Sequence, residues 1–249
     1  MGLGIKTRLK RYLTARLAAG EGAHAASPAI HRASIAAQYL HGEGLEVGAL
    51  HRPLPVPPGV RVRYVDRLPV HELRRHYPEL EHETLVVPDI LDDAGTLATV
   101  ADASQDFVIA NHLLEHCPNP IAAMHNLLRV LRPGGVLFLA LPDKRLSFDR
   151  DRPLTPFEHL ERDYHEGPHT SRDQHFEEWT RLVNKITEEA EARSQIEHYK
   201  AIDYSIHYHV WDQMAMLEFL SRIRGQYTRA FDIELMWRCA EEVVFVLRV

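Results

Sequence analysis

A predicted strand–helix–strand block, residues 106–141, constrains the fold more than any other part of the sequence. Residues 107–110, Phe-Val-Ile-Ala, form a β-branched and aromatic run that is too short for a buried helix and ends at the polar pair Asn111 and His112. A helix is predicted over residues 120–131, with Asn119 as its cap, and the apolar run at 136–141 predicts a second strand. Strands joined through a helix run parallel, and ligands of α/β proteins bind at the carboxyl ends of such strands.

Size and composition favour one globular domain and exclude several other classes of protein. Of the 249 residues, 45% are hydrophobic and 26% charged, which allows one large α/β domain with a sizeable core. No apolar run reaches the roughly 18 residues needed to span a membrane. The net charge is -6 and the 29 Lys and Arg are scattered, so we expect no nucleic-acid partner. Two cysteines and an N-terminus without a secretory signal predict a cytoplasmic protein.

Alternating helices and strands are predicted along the first 142 residues, which is typical of a parallel sheet. A basic amphipathic helix is predicted at 3–19, and it either docks on its own domain, docks on a second copy of the chain in a homodimer, or covers a membrane surface or the site as a lid. A second helix is predicted from the Ser27 cap to Gly42, and a short one over 69–77. The predicted strands are 44–49, 60–65, 84–87, 107–110 and 136–141.

The pattern changes after Pro142. Residues 143–208 are polar and rich in His, and they include a long predicted helix at 174–192. We interpret this segment as an inserted cap. A helix over 211–224 and strands over 231–237 and 243–249, which can pair as an antiparallel hairpin, are predicted to close the domain.

Five short motifs, each at a predicted strand end or turn and in a fixed order, together resemble a class I S-adenosylmethionine-dependent methyltransferase. They are Glu46-Val-Gly48, Asp66, Asp89, Asn111-His112 and Leu131-Arg-Pro-Gly-Gly135. The resemblance implies an α/β, Rossmann-like, doubly wound sheet of seven strands, mostly parallel with one antiparallel strand, with N-terminal helices and a helical cap insertion. It divides a single domain into N-terminal helices (1–42), a cofactor-binding core (44–142), the cap (143–208) and the closing helix and strands (209–249).

The same resemblance implies which residues hold S-adenosylmethionine. Gly48, with Glu46 and Ala49 beside it, would approach the methionine portion, because a missing Cβ allows close contact. Asp66 would accept hydrogen bonds from the ribose hydroxyls; the alternative is a helix cap before Pro69.

The predicted adenine site follows the third strand. Asp89 would accept a hydrogen bond from the adenine amino group, and Ile90 would cover the ring. The alternative is that Asp89 is an ordinary turn residue, because Asp92 and Asp93 stand nearby. Asn111 and His112 would form the floor of the crevice.

The first crossover departs from the family pattern. Residues 53–58 contain four prolines where the family has a glycine-rich turn and a helix, so an irregular loop is predicted. S-adenosylmethionine has no pyrophosphate and therefore does not need a helix N-terminus there. Arg52 is predicted to pair with the methionine carboxylate instead.

Histidines supply the catalytic candidates. His112, where the fourth strand opens toward the cofactor, is either a general base or a residue that only shapes the pocket. In an extended segment His207 and His209 lie on one face, where they either line the substrate site or, with the earlier histidines of the cap, bind a metal. Because the spacing matches no strong metal signature, we predict substrate-lining and catalytic roles for both and no metal.

The predicted function is S-adenosylmethionine-dependent methyl transfer to a small or medium polar acceptor, with a saccharide or glycan intermediate suggested by the polar, aromatic-containing cap. The alternative is a non-catalytic binding protein that kept the fold. A nicotinamide-dependent oxidoreductase is disfavoured because a Gly-x-Gly-x-x-Gly turn is absent from the sequence.

Overall fold

The computed structural model describes residues 31–77 and 80–249. The helix predicted at 3–19 and the Ser27 cap lie outside these residues. The first described helix is α1, Arg32–Tyr39, which ends before the predicted stop at Gly42. No helix among the described residues is long and apolar enough to cross a membrane.

Within the described chain, seven strands form one sheet in the order β3-β2-β1-β4-β5-β7-β6. The strands β1 to β5 pair in parallel, whereas β7 is antiparallel to both β5 and β6. This arrangement confirms the Rossmann-like sheet. It also confirms the final antiparallel hairpin, whose two strands lie close to their predicted positions. The strands are β1 Glu43–Val47, β2 Arg61–Asp66, β3 Ile90–Leu91, β4 Gln105–Asn111, β5 Leu131–Pro142, β6 Asp232–Cys239 and β7 Glu242–Arg248.

Helices cover both faces of the sheet because the central strands are apolar on both faces. On β4, Phe107 and Ile109 pack with Ile35 and Leu40 at α1, on one face. Alternate strand residues, including Val108, point to the opposite face and to helices α3 (Pro120–Arg129), α4 (Phe157–Glu166) and α7 (Gln213–Ile223). The Asn119 side chain caps α3 by accepting from Ala122 N, as predicted.

The strand predicted at 84–87 is wrong. The third strand is β3, Ile90–Leu91, which pairs with the end of β2. In the preceding segment only Leu85 is buried, whereas Val87 is 72% exposed, and Val86 N donates to Leu50 O in the loop after β1. The β-branched run therefore packs against a loop and the short helix α2, Val70–His76, instead of joining the sheet edge.

The single helix predicted at 174–192 is also wrong, because the chain breaks within it. Helix α5, Arg172–Glu178, runs into a π-helical turn, Trp179–Val183, and a new helix α6, Glu189–Ala201, follows. The break contains Lys185 with a φ of 60°, and the Glu188 side chain caps α6 by accepting from Ala190 N and Glu191 N. The break lets the two helices fold onto each other and bury apolar residues of both.

The cap has an apolar cluster of its own, distinct from the two that flank the sheet. Its buried members are Phe176, Trp179, Ile196, Tyr199, Ile206 and Tyr208. The chain returns to the sheet through residues 209–211 and enters α7, whose N-terminus is capped by Asp212. The first crossover, residues 48–60, contains no helix, as predicted from its prolines.

Candidate active site

A cleft with two lobes lies at the carboxyl ends of β1, β2 and β4. One lobe, which we call the carboxylate lobe, has a volume of about 500 Å³ and is lined by Asp66, Asp92 and Asp93. The other, the aromatic lobe, has a volume of about 200 Å³ and is lined by Phe148 and Trp179. The lobes share seven residues and therefore form one continuous cleft. These residues are Gly48, Leu50, Tyr77, His112, His116, Tyr204 and Ser205.

In the carboxylate lobe, Asp66 ends β2 as predicted. Burial raises the pKa of Asp66, although backbone hydrogen bonds from Leu68 and Arg67 act in the opposite direction. Asp92 is held in place because one of its oxygens, Oδ2, accepts from both Thr99 N (2.7 Å) and Thr99 Oγ1 (2.6 Å). Asp93 Oδ1 accepts from Gly95 N at 2.7 Å, which closes a turn beside the lobe.

The structure does not bring Asp89 and Ile90 to either lobe. Asp89 Oδ2 accepts from Tyr64 N at 2.8 Å, and Asp89 N donates to Tyr64 O, so this carboxylate completes the edge of the sheet. Ile90 packs against the main core. From the same segment, Asp92 and Asp93 do line the cleft, although in the sequence they served only as a reason to doubt Asp89.

Gly48 lies where the two lobes meet. Its φ is 70°, a left-handed conformation that favours glycine, and its N–H donates to Val65 O at 2.9 Å. An added Cβ would meet only Leu113 Cδ1, at 3.4 Å, so the backbone conformation rather than crowding requires glycine here. Ala49 and Arg52, which follow it in the aromatic lobe, are joined by a turn in which Arg52 N donates to Ala49 O.

Glu46 organises the proline-rich loop. Its side chain is buried, and both carboxylate oxygens accept from Leu54 N, at 2.9 and 3.1 Å. Burial raises the pKa of Glu46 to about 7, against the lowering effects of the Leu54 hydrogen bond and the Arg32 charge. The side chain of Glu46 therefore holds the first crossover, which has no helix, against the end of β1.

Two side chains present unsatisfied polar atoms beside the aromatic lobe. Both Oδ1 and Nδ2 of Asn111 are buried without a hydrogen-bond partner among the described residues, and so is Nε1 of Trp179. Both residues line this lobe. Buried polar atoms without partners are costly, so these atoms indicate where a polar ligand binds.

His112 is held between two carboxylates, which argues against its predicted role as a general base. Its Nε2 lies 2.5 Å from Glu242 Oε2 and its Nδ1 lies 3.3 Å from Glu115 Oε1. Burial alone would lower the pKa of His112, but its interactions with Glu115 and Glu242 outweigh it and raise the pKa. Both ring nitrogens face carboxylates, so neither is directed at an acceptor hydroxyl. With a φ of 52° at the end of β4, His112 instead shapes the floor between the lobes.

His207 is the histidine best placed for proton transfer. It lines the aromatic lobe, and its Nδ1 lies 2.7 Å from Asp149 Oδ2. Burial opposes the charge on Asp149, but the neighbouring His207 and Arg152 outweigh it and lower the pKa of Asp149 to about 2. Because Nδ1 of His207 is engaged by Asp149, Nε2 is the ring nitrogen left to take part in proton transfer.

His209 lies outside both lobes, although it is only two residues from His207. It is 1% exposed, and its Nε2 lies 3.3 Å from the carbonyl of Pro118. Of the two histidines predicted to line one substrate site, only His207 therefore lies at the cleft. Sequence reasoning missed the contacts of Asp149 with His207 and of Glu242 with His112, since these partners lie far apart along the chain. Glu115 is only three residues from His112, and its contact was missed because no motif marks it.

Comparison with known proteins identifies the family of this chain. A family model described as a methyltransferase domain matches residues 23–212. A curated protein of Mycolicibacterium smegmatis, named a probable S-adenosylmethionine-dependent methyltransferase, is 33% identical over 96 residues, which are 37% of this chain. The matched part is 33% of that relative, so the chain spans about a third of its length.

Solved structures with a similar fold include two methyltransferases. One, from Methanosarcina mazei, is 14% identical with a TM-score of 0.45, and the alignment covers 85% of this chain and 94% of the other. Another, from Aquifex aeolicus, is 13% identical with a TM-score of 0.43 over 83% and 80% of the two chains. The family match over most of the chain carries the assignment: the protein belongs to the methyltransferase-domain family, the class I S-adenosylmethionine-dependent methyltransferases.

Proposed function

We propose that this protein transfers the methyl group of S-adenosylmethionine to a hydroxyl of a small or medium polar acceptor, of which a saccharide or glycan intermediate is the best candidate. The observation that carries the proposal is the pairing of Asp149 with His207. His207 lines the aromatic lobe, which is continuous with the carboxylate lobe at Gly48. A general base beside a cofactor cleft is what methylation of a hydroxyl requires.

The residues of the carboxylate lobe fit the adenosine portion of the cofactor. Asp66 has two acceptor oxygens for the ribose hydroxyls, and Asp93, rather than Asp89, is placed to accept from the adenine amino group. At the junction, Gly48 permits close approach of the methionine portion, and the unsatisfied amide of Asn111 can bind its polar groups. Arg52 is retained as the partner of the methionine carboxylate.

The chemistry divides between the bound cofactor and the chain. S-adenosylmethionine supplies an electrophilic methyl group. His207 Nε2 takes the proton from the acceptor hydroxyl, and Asp149 stabilises the imidazolium that forms. The ring of His112 is held by Glu115 and Glu242, so His112 acts by positioning the floor of the cleft.

The aromatic lobe suits a sugar ring. Trp179 and Phe148 meet edge to face with centroids 5.5 Å apart and give the lobe an apolar wall, while Trp179 Nε1 is an available donor. A wall that combines an aromatic surface with a few polar groups is typical of sites for polar small molecules. The proline-rich loop and the cap enclose this wall, and we propose that the acceptor binds there.

Calorimetric titration of S-adenosylhomocysteine, the demethylated product, tests the cofactor assignment. We expect Asp66→Asn and Asp93→Asn to weaken binding by about 1.5–3 kcal/mol each, because each removes a charged hydrogen-bond acceptor. Asp89→Asn is the matched control and should bind like the unsubstituted protein. Arg52→Ala should also weaken binding if Arg52 holds the carboxylate.

Two results would redirect the proposal. If Asp89→Asn weakened binding and Asp93→Asn did not, the adenine assignment would return to Asp89. If neither S-adenosylmethionine nor its product bound at all, the chain would be a non-catalytic binding protein of this fold. For the acceptor, mono- and disaccharides are incubated with S-adenosylmethionine and methylated product is sought by mass spectrometry, with catechol as a non-sugar hydroxyl.

A further inference from the structure

Four potential metal ligands meet inside the cap, outside both lobes of the cleft. His159 and Asp163 lie one turn apart on α4, His175 lies on α5, and His209 lies on the segment that returns to the sheet. One ligand atom from each residue lies within 4.8 Å of one from every other. All four side chains are buried, and Asp163 is 0% exposed.

The inner atoms of this group are poorly satisfied by the protein itself. Asp163 Oδ2 and His209 Nδ1 are buried without a hydrogen-bond partner among the described residues. Buried carboxylate and imidazole atoms are normally paired, because leaving them unpaired costs about 1–3 kcal/mol each, and more for a charge. Two such atoms converging on one point indicate that something absent from the protein chain completes the group.

The outer atoms are held by the surrounding chain, which is the arrangement found around bound metals. Ser171 Oγ donates to Asp163 Oδ1 at 2.8 Å, and His209 Nε2 donates to the carbonyl of Pro118. The backbone of Tyr208 hydrogen-bonds the ring of His175. Outer contacts of this kind fix the tautomer of a histidine and direct its lone pair inward.

Three of the four inner atoms are spaced as ligands of a tetrahedral zinc ion would be, and the fourth, from His209, lies within 4.8 Å of them. His159 Nε2 lies 3.1 Å from both His175 Nε2 and Asp163 Oδ2, and His175 Nε2 lies 3.9 Å from Asp163 Oδ2. Zinc–nitrogen and zinc–oxygen bonds of about 2.1 Å place tetrahedral ligands about 3.4 Å apart. The two Nε2 atoms are at hydrogen-bond distance from each other, and the same spacing suits two nitrogens that bind one ion.

We propose that His159, Asp163, His175 and His209 bind one Zn²⁺ ion as a closed structural site. Three imidazoles and one carboxylate are ligands that zinc prefers, and four protein ligands leave no open position for catalysis. Arg162 contacts His159 Nδ1 at 3.0 Å, and its side chain must turn into solvent on metal binding, because Nδ1 then carries the proton. Arg162 is exposed and free to do so.

The site explains how a polar cap is fixed to the sheet. The ion would tie α4 and α5 to the return segment, and His207, two residues from the ligand His209, would be held in the aromatic lobe. This inference does not depend on the proposed methyl transfer, since it concerns only how the cap is held together.

A second group of potential ligands, Glu115, His116 and His207, is the competing location. His207 Nδ1 is already paired with Asp149, and His116 Nδ1 lies 3.0 Å from the carbonyl of Ile206. With three ligands and these commitments it is a poorer zinc site than the four-residue group. It nevertheless has to be separated experimentally.

The test is metal analysis of the full chain, purified without a polyhistidine tag and dialysed against excess zinc chloride and then against buffer. We expect about one zinc per chain, and a visible spectrum of tetrahedral Co²⁺ when cobalt replaces zinc. Asp163→Asn and His175→Ala should lower zinc affinity by about a hundredfold or more. His165→Ala, on the exposed side of the same helix, and His207→Gln should keep the metal.

The unsubstituted protein tests the proposal even if a ligand variant does not fold. It must contain zinc and give the tetrahedral cobalt spectrum. A chelator must lower its Tm, and adding zinc must restore it. A protein that binds neither ion overturns the proposal. So does zinc that persists in both ligand variants but is lost in His207→Gln, since the ion would then lie in the cleft.

Discussion

At the scale of single residues, the contrast between His207 and His209 shows how closely function depends on contacts. The two side chains are two positions apart in an extended segment, yet one pairs with Asp149 in the aromatic lobe and the other points into the four-ligand group. The spacing of the two histidines was visible in the sequence, but the residues that each one contacts were not. The proposed roles follow from these contacts: we propose an oriented base for His207 and a metal ligand for His209.

His207→Gln tests the proposed base directly. Glutamine keeps a polar group of similar reach but cannot take a proton, so kcat should fall by about a hundredfold to ten-thousandfold. Binding of S-adenosylhomocysteine should be unchanged, because the substitution lies in the other lobe. Steady-state kinetics and calorimetry make the comparison. A variant that kept its kcat, or lost cofactor binding instead, would contradict the assignment.

At the scale of elements, the first crossover shows a loop stabilised by one buried carboxylate. Four prolines prevent a helix, and the loop is instead held by Leu54 N donating to Glu46. Burial raises the pKa of Glu46 from 4.5 to about 7. The folded protein therefore keeps a proton that the unfolded chain loses between these values, and its stability falls as pH rises across that window, by about 3 kcal/mol.

Glu46→Gln should remove this pH dependence while keeping an oxygen that accepts from Leu54 N. Urea unfolding at pH 4 and pH 8 measures this dependence. Between these pH values, the free energy of unfolding of the unsubstituted protein should fall by about 3 kcal/mol more than that of the variant. Parallel losses of stability in the two proteins between these pH values would show that Glu46 does not titrate as described.

At the scale of the whole molecule, the protein consists of a well-packed sheet domain and a smaller cap with its own apolar cluster. The sheet domain buries large apolar clusters on both faces, whereas the cap relies on six buried residues and a group of buried polar side chains. Stability is therefore unequal in the two parts, and the cap should open first.

Hydrogen exchange with and without a chelator tests this division. Removing zinc should speed exchange in α4, α5 and residues 205–211 and leave β4 and β5 unchanged, because only the former are tied by the ligands. The unsubstituted protein with zinc restored serves as the control. Uniform acceleration across the sheet would mean that cap and sheet unfold as one unit, and no change at all would argue against the ion.

The sequence by itself determined the architecture of the sheet domain. Apolar runs, Asn119 as a helix cap and polar residues at strand ends report local preferences and burial, which are properties of short segments. It failed for residues 84–87 and for the helix at 174–192, where packing against distant residues overrides local preference.

Only the tertiary structure decided which side chains lie together at the cleft. The position of Asp92 and Asp93 beside the cleft, the contact of His112 with Glu242, the pairing of His207 with Asp149 and the meeting of four potential ligands all depend on how the chain folds. The physical reason is that hydrogen bonding, ionisation and metal binding depend on which groups lie within a few ångströms in space. The distance between two residues along the sequence does not predict whether they are in contact when one lies in the cap and the other in the sheet domain.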